Sequence, residues 1–196
     1  MLEDIGKIVV LGLEKRTDRR ARCEQIFRTY GITDYTYFGT KEDPSDVYGN
    51  ASRDFLKMIE KHFDGEFTVF FEDDFELSDD YASVLEKAWI DLPEDFDLLY
   101  LGANLTAPAE RVTDNLVKLG GAWTVHAIIW QRKFAEYVLQ NYRYETCGVF
   151  DEWLRKLNKN FYMTYPMVSW QRPGFSNFVK ADVNYNLFKN PYYQTL

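Results

Sequence analysis

Three consecutive carboxylates, Glu72, Asp73 and Asp74, follow directly on the apolar run FTVFF at residues 67–71. Five apolar residues in a row read as a strand buried on both faces, which delivers the acids together to its carboxyl end. Adjacent carboxylates raise one another's pKa unless something positive neutralises them. A hard divalent cation does so, and Mg²⁺ or Mn²⁺ takes oxygen ligands, one or two of them carboxylates and others phosphate oxygens. Alternation along an extended segment puts Glu72 and Asp74 on one side and Asp73 on the other. Asp74 is therefore the expected direct metal ligand, Glu72 a second residue at the metal acting through water or on a sugar ring, and Asp73 a helper. The competing reading is a solvated acidic turn running into a helix capped by Ser78, which suits Asp79 and Asp80 well. No glycine stands where a calcium-binding EF-hand loop requires one.

A basic group, Lys15, Arg16, Arg19, Arg20 and Arg22, lies just past the apolar run KIVVLGL at residues 7–13. A first strand-to-helix turn is a standing place for anions, and arginine grips phosphate in bidentate fashion. Arg16, Asp18 and Arg19 are expected to point into the crevice; a solvated helix face is the alternative. The glycines of a dinucleotide or Walker fingerprint are missing, which disfavours NAD and P-loop chemistry. Only two histidines occur. His62 reads as surface, whereas His126 sits in the apolar stretch WTVHAIIW as either a ligand contact or a buried structural residue. Asp151 and Glu152 open the segment DEWLRKL. A carboxylate held ionised at a helix N-terminus suits a general base, and equally a plain cap.

These groups need a scaffold. Strands are expected at residues 7–13, 35–38, 67–71, 97–102, 116–119, 123–130 and 161–166. Helices are expected after caps at Thr17 and Asp18 and ending at Gly31, at 52–63 after a polar loop at 41–50, from Ser78 onward, at 132–141 and at 150–157. The tail beyond Ser176 shows no period. The strand–helix alternation implies an α/β fold with a mixed, mostly parallel central sheet flanked by helices, and ligand chemistry beyond the strands' carboxyl ends.

The chain has 196 residues, 46% hydrophobic and 17% aromatic, so a single domain with a substantial core is expected over 1–196. Acids outnumber bases 31 to 23, giving a net charge of -8, which argues against nucleic acid and against broad docking on anionic membranes. Cys23 and Cys147 form no disulfide framework or zinc ribbon, and Cys23 reads as a buried reduced thiol. No apolar stretch approaches a membrane span, and no signal peptide opens the chain, so a soluble cytoplasmic protein is expected.

Several segments together resemble glycosyltransferase family 25, a GT-A group that includes lipopolysaccharide and collagen galactosyltransferases. IVVLGLEKRTDRR resembles the family's opening strand and turn, although Gly12 stands where the family often has asparagine. FFEDDFELSDDY is similar to its Glu-Asp-Asp metal motif, and FDLLYLG, WTVHAIIWQRKFAEYVL, VFDEWL and YPMVSWQRPGFSNF resemble later segments in order, over residues 6–178. The same arrangement is known in capsid-decorating glycosyltransferases of large algal viruses. The resemblance implies a GT-A-like fold and a Mn²⁺- or Mg²⁺-dependent transferase using a nucleotide-diphosphate sugar, with a glycan or glycoprotein as acceptor and inversion by single displacement. It implies that Leu13, Arg16, Asp18 and Arg19 contact the nucleotide end of the donor. Glu72, Asp73 and Asp74 match the metal motif, and Gln171 and Ser176 close over the diphosphate. His126 contacts the donor or completes the metal shell, and Asp151 is the base, with Glu152 its rival. Two other readings stay open: a metal-dependent phosphohydrolase or nucleotidyltransferase using the same acids, and a non-catalytic nucleotide-sugar or carbohydrate-binding module.

Overall fold

A computed structural model describes residues 1–196. A single turn, α1 (Leu2–Ile5), leads into β1 (Lys7–Leu13), whose Ile8, Val9 and Val10 are fully buried. α2 (Thr17–Thr29) packs Cys23, Ile26 and Phe27 inward, and Gly31, at φ 68°, turns the chain out of it. The expected caps are corrected here. Arg16 occupies the N-cap without a side-chain bond, and Asp18 lies in the first turn, chelating Arg16 at 2.8 and 2.9 Å. After β2 (Tyr35–Thr40), α3 runs Val47–His62, starting five residues before the expected 52. The segment YGNAS has weak helix propensity, but Asp46 caps the helix by accepting the Gly49 N–H at 3.1 Å.

β3 (Phe67–Glu72) turns into β4 (Phe75–Leu77), and α4 follows as Tyr81–Asp91. Ser78 does not cap α4, as the sequence suggested. Its N–H is bound to Val168 O, which holds it in extended chain, and Asp80 takes the N-cap position. β5 (Leu98–Tyr100), β6 (Asn104–Leu105), β7 (Glu110–Arg111), β8 (Leu116–Lys118), β9 (Ala122–Trp123) and β10 (Ala127–Gln131) come next. The strand expected over 123–130 is thus split, because Thr124 sits at φ 71° and breaks the extended run.

α5 (Arg132–Asn141), α6 (Tyr144–Cys147) and α7 (Phe150–Arg155) precede β11 (Phe161–Thr164) and β12 (Ser169–Gln171). The tail that lacked a period forms a hairpin, β13 (Gly174–Ser176) with β14 (Ala181–Val183), then a 3₁₀ turn at Leu187–Lys189 and α8 (Pro191–Gln194). Its short elements are fixed by tertiary contacts rather than by amphipathic repeats.

Eight strands make one sheet in the order β2-β1-β3-β10-β5-β11-β8-β7. β10 pairs antiparallel with both β3 and β5, and β8 antiparallel with both β11 and β7, while the other pairings are parallel. Four of the seven pairings are antiparallel, yet six of the eight strands, all but β10 and β8, point the same way, so the sheet is mixed with mostly parallel strands. Period-two alternation divides the core between its faces. Val9, Phe70, Ile128 and Trp130 pack with Phe55 of α3 and Phe150 of α7 on one side. Ile8, Val10, Val69 and Phe71 pack with Phe27 of α2 and Leu85 of α4 on the other. Each such large apolar side chain contributes about 1.5–3 kcal/mol on burial, enough to fix where β1 and β3 end. No helix is long and apolar enough to cross a membrane.

Candidate active site

β1 and β3 end side by side, and β10 lies next to β3 in the opposite direction. The residues entering β10 therefore arrive at the same edge as the residues leaving β1 and β3. A cleft of about 570 Å³ opens there, a size suited to a small ligand. Leu13, Arg16 and Arg19 line it on the β1 side, Glu72, Asp73 and Asp74 in the middle, and Trp123, Thr124, Asp151 and Glu152 on the β10 side. Gln171 and Ser176 line it from the carboxyl-terminal segment. Asp18 lines a smaller neighbouring cavity of about 370 Å³, with Arg16, Arg19, Asp74 and Arg172.

The acids leave β3 at Glu72 and pass through a turn at Asp73 and Asp74 rather than continuing as extended chain. Glu72 and Asp74 lie on the same side, each 3.4 Å from Gln171 Nε2. Asp73 turns the other way, accepting from Arg19 at 2.7 Å and from the Tyr37 hydroxyl at 3.3 Å. Gly12 makes that position possible. A Cβ there would stand 2.4 Å from Asp73 Oδ2 and 2.2 Å from the Tyr37 hydroxyl oxygen, so any larger residue would force these side chains to shift. Arg19 also reaches Asp74 at 3.2 Å and is the nearest counter-charge. It does not neutralise the group: burial, reinforced by the charges of Asp74, Asp151 and Asp73, pushes the Glu72 carboxyl well above its usual range. Asp74 is also raised, by burial.

Two half-buried carboxylates short of positive charge fit a hard divalent cation in charge and in ligand type. Gln171 Oε1, buried and without a hydrogen-bond partner, is an oxygen at the same place. No three acidic, histidine or cysteine side chains converge into a self-contained metal cage. The donor set suits an ion that brings further oxygens with it.

The first-turn arginines do face the crevice. Arg16 donates to Phe175 O at 3.2 Å and to Asn177 Oδ1 at 3.0 Å, and Arg19 donates to Phe175 O at 3.0 Å. The β13–β14 hairpin is thereby tied across the arginine wall. The hydroxyl of Ser176 accepts the N–H groups of Phe178 and Val179, so it shapes the hairpin turn. Asp18 is held down to about 2, chiefly by its hydrogen bonds from Arg16.

Asp151 and Glu152 separate clearly. Asp151 accepts the Thr124 N–H at 3.2 Å, and burial pushes its carboxyl up to about 6. The helix end does not hold the carboxyl down as expected: α7 has six residues and desolvation dominates, although a carboxyl at about 6 is still mostly ionised at neutral pH. Glu152 accepts from Trp123 Nε1 at 2.5 Å and from Arg155 at 2.7 and 3.2 Å, and these bonds hold it below the usual range. Its oxygens are occupied, which leaves Asp151 as the carboxylate able to take a proton near neutrality.

No protein-family model matches the chain, and no curated protein sequence does. Solved structures similar to it include two glycosyltransferases. One is a glycosyltransferase involved in the glycosylation of the major capsid of PBCV-1, with 10% identity and TM-score 0.43 over 74% of this chain and 70% of that one. The other is a mutant of the Drosophila β1,4-galactosyltransferase 7 in complex with manganese, UDP-Gal and xylobiose, with 10% identity and TM-score 0.40 over 66% of this chain. This chain spans 50% of the latter's length.

His126 is the site residue that the structure removes. It has 0% exposure and does not line the cleft; burial drops its imidazole to about 4, so it is neutral and cannot touch a ligand in the cleft. Its main-chain carbonyl instead accepts the Glu72 N–H at 2.9 Å, fixing the acidic turn to β10. Cys23 is buried as expected, its thiol pushed up to about 12 by burial. Four residues escaped the sequence reading: Tyr37 under Asp73, Trp123 and Thr124 beside Asp151, and Asn177 on Arg16. The only signal for the middle pair was their place at the mouth of an apolar strand.

Proposed function

We propose that this protein is a GT-A-type glycosyltransferase that moves a sugar from a nucleotide-diphosphate sugar, UDP-linked by preference, to a hydroxyl of a glycan or glycoprotein. The observation that carries the reading is the pairing, within one cleft, of a charge-deficient Glu72/Asp74 pair with a proton-accepting Asp151. A bound Mn²⁺ or Mg²⁺ would neutralise charge on the leaving diphosphate. Glu72 and Asp74 would hold that ion, with Gln171 Oε1 as a further oxygen. Arg16 and Arg19 bind the diphosphate oxygens from the β1 side, and Leu13 packs at the nucleotide end. Asp73 and Tyr37 hold Arg19 in place.

On the opposite wall, Asp151 removes the proton from the acceptor hydroxyl. That oxygen bonds to the anomeric carbon as the bond to the diphosphate breaks, inverting the centre; the proton stays on Asp151, and the nucleoside diphosphate departs. General-base assistance of this kind contributes about 10²–10⁴ in rate. The resemblance of the first-strand, acidic and terminal motifs to family 25 supports the same reading.

A thermal-shift screen of nucleotide sugars with and without Mn²⁺ tests it. Stabilisation by a UDP-sugar that vanishes on chelation is the expected result. Silence toward every nucleotide, or release of inorganic phosphate in place of UDP, would overturn it.

A further inference from the structure

Trp123 is the one exposed tryptophan of the chain's five, with 42% of its surface free. An exposed indole inside a cleft costs hydration unless something covers it. Its position is fixed on every side. The main chain pairs with Asn104 across the β6–β9 ladder, and the next residue takes the rare φ of 71°. The indole N–H is bound to Glu152 at 2.5 Å, and the Arg155 guanidinium stands over the ring, 5.7 Å from its centre. The surface left free opens onto the cleft next to Thr124 and Asp151. The sheet order puts this wall on the far side of Glu72–Asp74 from the phosphate-seeking arginines, with β1 on one flank of β3 and β10 on the other. Tyr48, Phe178 and Tyr185 also line the cleft with exposed rings, Tyr48 edge to face with Phe178 at 4.5 Å, but Trp123 is the one flanked in sequence by Thr124, whose N–H holds Asp151.

Building on the proposed transferase reading, we infer that Trp123 is the platform for the acceptor, and that the acceptor is a pyranose ring of an existing glycan. A pyranose presents a face of C–H groups that lies flat on an indole, with its hydroxyls directed outward. A sugar seated there carries its hydroxyls beside Asp151. A serine, threonine or lysine side chain offers no such face. The protein therefore extends glycans rather than starting them. Glu152 is a positioning residue: it holds the indole through Nε1 and touches neither donor nor acceptor.

Iodide quenching of tryptophan fluorescence reads this site, because the other four indoles are partly or wholly buried. With UDP and Mn²⁺ present, a panel of methyl pyranosides is expected to include one that lowers the quenching constant about twofold, against no change with a serine–threonine peptide. Glu152→Gln, which still accepts the indole N–H, is expected to keep this shielding, and Glu152→Leu to lose it. In Trp123→Phe the sugar-dependent signal disappears while the thermal shift by UDP and Mn²⁺ persists. Two results overturn the inference while leaving the transferase reading intact: shielding by UDP alone, which makes Trp123 a nucleobase platform, and a full UDP–Mn²⁺ thermal shift with no pyranoside shielding. Shielding by a pyranoside without any nucleotide response supports the platform and overturns the transferase reading instead.

Discussion

Thr124 donates its main-chain N–H to Asp151 Oδ2 at 3.2 Å from a backbone bent to φ 71°. A β-branched residue in that region costs about 1–3 kcal/mol, so the bond that steadies Asp151 is maintained against local strain. Thr124→Gly relieves the strain and keeps the N–H, and its stability should stay within about 1 kcal/mol of the parent. Thr124→Pro can neither adopt the angle nor donate, and should lose about 3 kcal/mol or more in urea unfolding.

Asp151, pushed up to about 6, sets the expected pH behaviour. The base works ionised, so kcat/KM should climb as pH rises through about 6 and level off above it. Asp151→Asn should lose that limb and about 10²–10⁴ in kcat while still binding nucleotide sugar with metal. Stability runs the other way. A carboxyl raised on folding favours the folded chain most below its unfolded pKa, and that advantage is lost as pH rises through the folded value. Asp151→Asn should therefore be more stable than the parent at neutral pH, as read from thermal melts at pH 5 and pH 8.

Glu72→Gln removes one of the crowded carboxylates. The metal-free protein should gain about 1–2 kcal/mol, and the Mn²⁺-dependent thermal shift by nucleotide sugar should disappear. Opposite signs in the two melts distinguish loss of a ligand from loss of the fold.

Arg19 is the counter-charge of Asp73 and Asp74, with a side chain 14% exposed against 6% and 15% for theirs. Arg19→Met leaves buried charge unpaired and should cost about 3 kcal/mol or more. Mn²⁺ should raise the melting temperature of this variant more than that of the parent, since it supplies the missing positive charge.

Much of this site was visible in the residues alone. Apolar runs ending in charge stand out, so FTVFF followed by Glu72-Asp73-Asp74, and KIVVLGL followed by Arg16 and Arg19, pointed to two groups that the fold brings to one cleft. Glu72 and Asp74 share Gln171 as grouped in the sequence reading, but through a turn at Asp73 and Asp74 rather than through strand alternation, and Arg19 reaches both aspartates. The opposite wall was harder. His126 looked functional because a polar residue in an apolar stretch invites a role, yet that stretch is buried on all sides, which encloses the imidazole and leaves the carbonyl to bond Glu72. Thr124 declares its left-handed angle through no residue type, since glycine or asparagine would be the usual occupant. The separation of Asp151 from Glu152 depends on Arg155 and Trp123 arriving beside one of them, which spacing cannot show.

The cleft also carries a history of its own making. Gln171 meets Glu72 across 99 positions, and Asn177 meets Arg16 across 161. A ribosome adds about 5–20 residues each second, so the nascent chain spends several seconds with its acidic turn made and nothing to close over it. Contacts this distant in sequence come late in folding. Closure of the cleft therefore waits on the carboxyl-terminal segment, so the two sides of the binding centre come together only after nearly the whole chain has been made.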